Sequence, residues 1–250
     1  MSIARKGLTL AWGLWFHFWL LLLTAVFGSL AFLSTFIDPT GMLAQRLARC
    51  WGRSLLRLAR IPVRVQGLEH LAPDQAYVFA VNHRSNFDIY VLLSILPGKI
   101  LWVAKKSLFA IPIFGQALSR MGSIPIDREN LQQAIRSLNR ATALVQGGTS
   151  MIIFPEGTRG ETRELLPFKK GVFIMALKAG QPIVPVSISG TFFIQPRATL
   201  RVRPGPVQVV IAPPIPPQAF RHKEDLMEAV RQAMIQNYDP HFPYGSGSAD

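Results

Sequence analysis

The chain opens on a single long apolar run. From Leu8 to Ile37 no residue carries a formal charge apart from His17 if protonated, and these thirty residues exceed the roughly 20 that span a bilayer core. A segment of helical periodicity follows, in which Arg46, Arg49, Arg53, Arg57 and Arg60 recur every three or four residues as one stripe. Leu43, Leu47, Leu55 and Leu58 point elsewhere around the same helix. Beyond Ile61 the pattern changes to short apolar runs alternating with helical ones. IPVRV, AYVFAV, ILWVA, SIPI, MIIF and PIVPVSI read as strands. Residues 89–96, 113–119, 130–146 and 168–179 read as helices. The third of these carries Leu131, Ile135, Leu138 and Leu144 on one side and stops at Gly147-Gly148. LRVR-PGP-VQVVI suggests an edge hairpin or meander, and residues 223–238 an amphipathic C-terminal helix.

Strands separated by helices predict an α/β fold: a single mixed, largely parallel sheet flanked by helices, with an N-terminal membrane-associated helical motif. The expected organisation is an anchor with a basic amphipathic helix over residues 1–60, an α/β domain over 61–240 and a flexible tail over 241–250.

Charge sharpens the reading of the N-terminal part. The net charge is +13, and residues 1–68 hold eight Lys or Arg against the single acid Asp38. A basic amphipathic helix beside an apolar anchor predicts contact with anionic membrane lipids, and no nucleic-acid-binding motif accompanies it. Trp12, Trp15, Phe16, Phe18 and Trp19 crowd the first half of the apolar run, as aromatic side chains do near headgroups. The run is too long for a cleaved signal peptide and lacks a small-x-small site after it. A bend at Gly28-Ser29 is compatible with the sequence, so a single span and a re-entrant hairpin are both expected forms. Basic flanks favour a hairpin returning to the cytoplasmic side. One cysteine, Cys50, excludes an intramolecular disulfide and suits a reducing compartment.

Three polar clusters follow strand-like runs, where ligands gather in open α/β sheets. They are NHRSNFD at 82–88, Asp127-Arg128, and PEGTRG at 155–160. His83 in a loop and Asp88 in the first turn of a helix can meet. Asp88 then fixes the imidazole tautomer, and the other nitrogen is left to take a proton. Ser85 as N-cap with Asp88 three residues on has the form of a capping box, which alone explains the pair structurally. One His and one carboxylate are too few for a zinc site, so no metal is expected. In the third cluster Gly157 and Gly160 allow close backbone approach, and Arg159 offers a planar fork for phosphate. Glu156 orients Arg159 or binds a ligand hydroxyl. Lys105, Lys106, Arg128 and the LPFKKG segment add positive charge. Arg84 and Asn86 have no assigned role.

NHRSNFD, GSIPIDR, FPEGTR with LPFKKG, and IVPVSI, in this order over residues 82–188, resemble the four motif blocks of the lysophospholipid acyltransferase family. Within it the pattern is most similar to the bacterial 1-acyl-sn-glycerol-3-phosphate acyltransferases. The resemblance implies transfer of a fatty acyl group from acyl-CoA or acyl-carrier protein to the sn-2 hydroxyl of lysophosphatidic acid, without a cofactor. It implies His83 as general base and Asp88 as its orienting partner. Glu156, Gly157, Thr158 and Arg159, with Arg128 and Lys105, would hold the glycerol phosphate, and Ile183–Ile188 would line the acyl or donor region. Backbone N–H groups near the start of the Asp88 helix are expected to stabilise the oxyanion. The implied location is a membrane, at the cytoplasmic face of a bacterial inner membrane. Acylation of another lyso-lipid, or non-catalytic lipid binding, is the alternative.

Overall fold

The structure, a computed structural model, describes residues 3–127 and 130–244. Helices α1 (Ile3–Ile37) and α2 (Met42–Leu58) precede strand β1 (Val63–Gln66). Then come β2 (Val78–Val81), α3 (Phe87–Ile95), β3 (Ile100–Lys105), α4 (Phe114–Arg120) and β4 (Ile124–Ile126). Helix α5 (Leu131–Gln146), β5 (Ser150–Ile153), α6 (Lys170–Ala179), β6 (Ile183–Ser189) and the single turn α7 (Thr191–Ile194) follow. Strand β7 (Val207–Ile211) and α8 (Lys223–Asn237) close the order.

The strands form one sheet in the order β1-β7-β6-β2-β5-β3-β4. Strands β2 to β6 run parallel to one another, and the β7–β1 pair runs against them through the antiparallel β6–β7 contact. The expected mixed, largely parallel sheet is therefore present. Each central strand is buried on both faces, because period-two alternation sends its neighbours to opposite sides. Phe79 and Val81 of β2 enter the core beneath α1, α2 and α3, whereas Val78 and Ala80 enter the core beneath α5, α6 and α8. On α5 the buried face is Ala141 and Val145, with Leu138 partly buried; Ile135 and Leu144 stay exposed, contrary to the face read from sequence. The hairpin expected at LRVR-PGP-VQVVI does not form. Residues 201–206 are irregular, and β7 finds its neighbours in β6 and β1 instead.

Helix α1 is continuous through Gly28-Ser29, with no bend into a re-entrant hairpin. Its stretch Thr9–Ile37 is long and apolar enough to cross a membrane. One face is nevertheless bound to the domain. Phe16 is buried against Phe87 of α3 at 5.2 Å between ring centroids, a burial that contributes about 1.5–3 kcal/mol. A Cβ on Gly13 would lie 2.2 Å from the Leu200 carbonyl oxygen, so only glycine lets the 200–201 segment lie directly on the helix. The opposite face leaves Leu14, Phe18, Leu21, Leu22, Leu30 and Leu33 exposed as a continuous apolar ridge. After α8, residues 239–244 form a turn in which the Asp239 carboxylate accepts the His241 and Phe242 N–H groups; the rest of the expected tail lies outside the described residues.

Candidate active site

Strands β2 and β5 are parallel neighbours with Ala80 opposite Ile153, so the loops that follow them emerge side by side. This register brings NHRSNFD against FPEGTR. Asn82 is buried and continues the β2–β6 ladder with its side chain, donating to the Ile188 carbonyl and accepting the Ile188 N–H. The chain then turns, and His83 lies 2.7 Å from Asp88, Nδ1 to Oδ2. Asp88 Oδ2 also accepts the backbone N–H groups of Arg84 and Ser85, at 2.7 and 2.8 Å. Oδ1 has no hydrogen-bond partner among the described residues, so one oxygen carries the whole contact. The carboxylate is fully buried while the imidazole keeps 13% of its surface. With the carboxylate on Nδ1, that nitrogen carries the proton and donates, which leaves the Nε2 lone pair as acceptor. Phe154 stacks on the imidazole at 4.0 Å and 17° between planes, fixing the ring from the β5 side.

The capping box is half built. Asp88 reaches back to the Ser85 N–H as expected, but the N-cap of α3 is Asn86. The Ser85 hydroxyl instead accepts from the Phe87 N–H and donates to the Gln195 carbonyl. Gln195 is itself buried, and its amide nitrogen lies 3.3 Å from His17 Nε2 on α1. The loop that holds the dyad is thus tied to the N-terminal helix.

Glu156 departs from the role expected of it. It is buried; its Oε1 accepts the His83 N–H at 3.0 Å, and its Oε2 accepts the Leu166 N–H and Arg84 Nη1, both at 2.7 Å. It does not orient Arg159: its side chain is buried and its two oxygens accept from three protein donors. Arg84, unassigned from sequence, is its charge partner and is fully buried. The Arg84 guanidinium also donates to the carbonyls of His83 and Glu164 and lies 6.0 Å from the Tyr238 ring. Burial pushes the Tyr238 phenol up to about 12 against the opposing pull of Arg84, so it stays a neutral donor to the Arg163 carbonyl. Gly160 donates its N–H to the His83 carbonyl, and a Cβ there would meet Arg84 Nη1 at 2.3 Å. Its role is to make room for Arg84 rather than for a ligand.

Arg159 donates to Asn86 Oδ1 at 2.7 Å, beside the dyad. Gly157 has φ +72°, the left-handed region that its turn requires, and Thr158 is exposed on the same turn. Lys105 is exposed at the end of β3, just past Trp102 and Ala104. Lys106 forms an exposed 3.5 Å pair with Asp127. Arg128 lies outside the described residues. The oxyanion donors expected at the start of α3 are mostly engaged. From His83 to Ile89 every backbone N–H except that of Asn86 has an acceptor among the described residues.

An apolar cavity of about 250 Å³ adjoins this loop. Asn86 and Tyr90 line the end nearest the dyad, and Phe27, Gly28, Trp51 and Trp102 line its body. Burial holds the Tyr90 phenol well above its ordinary range, so no charge enters there. The segment Ile183–Ile188 takes no part: it is β6, buried on both faces in the middle of the sheet. The cavity lies between α1, α2, α3, β3 and α4, a juxtaposition of distant segments that short sequence motifs do not reveal.

Residues 62–189, which contain both loops of the dyad site, match the acyltransferase family model. A chloroplastic 1-acyl-sn-glycerol-3-phosphate acyltransferase of Brassica napus is 40% identical over 165 residues, 65% of this chain and 46% of that protein. A 1-acyl-sn-glycerol-3-phosphate acyltransferase of Limnanthes alba is 36% identical over 203 residues, 79% of this chain and 71% of that one. The crystal structure of the 1-acyl-sn-glycerophosphate (LPA) acyltransferase of Thermotoga maritima is similar with a TM-score of 0.83 and 26% identity, covering 93% of this chain and 95% of that chain. The chain spans about half the length of several curated relatives that it matches. With a family match over half its length and these relatives, the chain belongs to the acyltransferase family.

Proposed function

We propose that the protein moves a fatty acyl group from an acyl thioester, acyl-CoA or acyl-carrier protein, to the free sn-2 hydroxyl of 1-acyl-sn-glycerol 3-phosphate, giving phosphatidic acid. The observation that carries this reading is the His83–Asp88 pair, with Nδ1 on a buried carboxylate and the ring still reachable. Nε2 takes the hydroxyl proton as the oxygen attacks the thioester carbonyl. The tetrahedral oxyanion collapses, the C–S bond breaks, and the departing thiolate takes that proton from the imidazolium. Asp88 stabilises the cation in between, and no acyl-enzyme forms. The Asn86 N–H is the candidate donor to the oxyanion. The adjoining apolar cavity would hold an acyl chain, and Arg159, with Lys105 and Arg128, the phosphate. Thr158 and Gly157 would border the phosphate, while Glu156 acts only through His83 and Arg84.

The exposed apolar ridge of α1 would sit in a membrane, which brings an amphiphilic acceptor to the cavity without passage through water. The basic stripe of α2 suits an anionic membrane surface, and the cytoplasmic face of a bacterial inner membrane is the location proposed. His83→Ala and Asp88→Asn proteins should still bind vesicles but lose thioester-dependent acylation; near-normal turnover by His83→Ala would end the assignment. A panel of lyso-lipid acceptors, read by product mass with both donors, tests the substrate. Strong preference for an acceptor without a phosphate monoester, with Arg159→Ala indifferent, would move the assignment to another lyso-lipid.

A further inference from the structure

Thr24, Asn86 and Tyr90 bring side-chain oxygens to the otherwise apolar cavity. Two of these oxygens are engaged. The Thr24 hydroxyl donates to the Leu20 carbonyl and accepts from the Trp51 indole, and Asn86 Oδ1 accepts from Arg159. The Tyr90 hydroxyl has no hydrogen-bond partner among the described residues, although Tyr90 keeps only 6% of its surface. Tyr90 shares one face of α3 with Asn86 and Leu93, four residues after the first and three before the second, and all three line the cavity. Asp88 leaves the helix on the other side, toward His83. Edge-on contacts with Trp51 and Phe87, both at 5.2 Å between ring centroids, hold the Tyr90 ring in place.

A buried hydroxyl without an acceptor destabilises a fold, and phenylalanine would fill the same space without that penalty. The hydroxyl stays neutral, because burial outweighs the opposing pull of the Arg159 charge. That pull also places it at the Arg159 end of the cavity, the end nearest the dyad. Arg159 offers it no acceptor, since a guanidinium only donates. The site thus passes from apolar walls, through one neutral donor, to a cation. An acyl ester or thioester presents the complementary order, with a hydrocarbon chain, then a carbonyl oxygen, then the anionic remainder. A phenol at the boundary between chain and cation meets that oxygen.

We propose that the Tyr90 hydroxyl donates a hydrogen bond to the carbonyl oxygen of the acyl group whose chain enters the cavity, and so sets how deep that chain sits. The proposal rests on the acyl-transfer reading of the site, but its test needs no turnover. The full chain in detergent is titrated with two pairs of ligands, and tryptophan emission is followed because Trp51 and Trp102 line the cavity. The donor pair is an octanoyl-CoA analogue with CH2 in place of sulfur, a ketone that cannot transfer its acyl group, and octyl-CoA, a thioether without the carbonyl. The acceptor pair is the octanoyl ester and the octyl ether of glycerol 3-phosphate. In one pair the carbonyl compound should bind about tenfold more tightly than its partner. A gap in the donor pair assigns the oxygen to the thioester, and a gap in the acceptor pair to the lyso-lipid ester. Tyr90→Phe keeps the ring and should close that gap, with binding of the carbonyl-free compound unchanged; Tyr90→Met repeats the test if the first variant unfolds. No gap in either pair, or a gap that persists in Tyr90→Phe, would overturn the proposal. Acyl transfer intact without a gap would count against this role of Tyr90 alone. A Tyr90-dependent gap without acyl transfer would count against the proposed enzyme function and not against Tyr90.

Discussion

Replacing Glu156 by glutamine keeps the shape of the side chain and removes its charge. Arg84 is then a fully buried cation without its anion, and breaking a buried pair by removing one partner costs about 3–5 kcal/mol. The amide also carries two donors where the carboxylate carried none. If its nitrogen takes the Oε2 position it faces Arg84 and the Leu166 N–H, and if it takes Oε1 it faces the His83 N–H. Either orientation leaves donors opposed, so no rotamer restores the three contacts. For a chain of this size each kcal/mol lowers Tm by roughly 2–4 °C, and the expected loss is roughly 6–20 °C by scanning calorimetry in detergent. Because Oε1 holds the backbone of His83, kcat measured well below Tm should fall by about 100-fold, the scale of a misplacement near 1 Å. KM for the acceptor should change little. Arg84→Met/Glu156→Leu should regain much of the stability, since an apolar pair replaces the ions, without restoring kcat. A Tm within about 2 °C of the parent, with KM raised and kcat intact, would refute the reasoning and return Glu156 to the ligand.

Asn86 has φ −62°, the value proline enforces, so Asn86→Pro removes one N–H with little change in backbone course. Relative to Asn86→Ala, which keeps the N–H, kcat should fall by about 100-fold or more if that group serves the oxyanion; equal rates in the two variants would exclude it. Gly28 lines the apolar cavity proposed to hold the acyl chain, and a Cβ there would meet Ile113 at an ordinary 3.7 Å. Gly28→Leu should therefore shift donor preference to shorter chains in a competition assay with mixed thioesters. Asp38 accepts from the Thr40 hydroxyl and the Leu43 N–H, and these bonds hold its carboxyl below the ordinary value of 3.8. A depressed folded-state pKa stabilises above the unfolded value and is lost as pH falls through the folded one. The protection of the Leu43 amide, relative to its intrinsic exchange rate at the same pH, should therefore fall below about pH 4, and Asp38→Asn should show the lower protection at neutral pH.

The sheet was legible because each strand is an apolar run bounded by turn residues, and parallel neighbours need no special sequence. LRVR misled because alternation reports which side chains are buried, not whether a strand edge is free to pair. Val202 is indeed buried, yet Pro204 and Pro206 lack N–H groups for a ladder. The contact of His83 with Asp88 was legible since the two lie five residues apart around one loop. Glu156 and Arg84 were not, because 72 residues separate two charges that neutralise each other across neighbouring strands. A charged residue type suggests a ligand until burial and partners are known. The one readable signal was Arg84 itself, a long cation between two apolar elements with no task of its own. The apolar cavity left no local mark at all, being assembled from α1, α2, α3, β3 and α4.

The hydrogen bonds from Ser85 to the Gln195 carbonyl and from the Gln195 amide to His17 make the N-terminal helix a structural member of the loop that holds His83 and Asp88. Trimming the helix to obtain a water-soluble fragment would strip Phe87 of Phe16 and take one wall from the apolar cavity. A soluble form has to be made the other way, by keeping α1 and recolouring its outer ridge at Leu14, Phe18, Leu21 and Leu33 with polar residues. Solubility and activity are separable on this helix by face, and not by length.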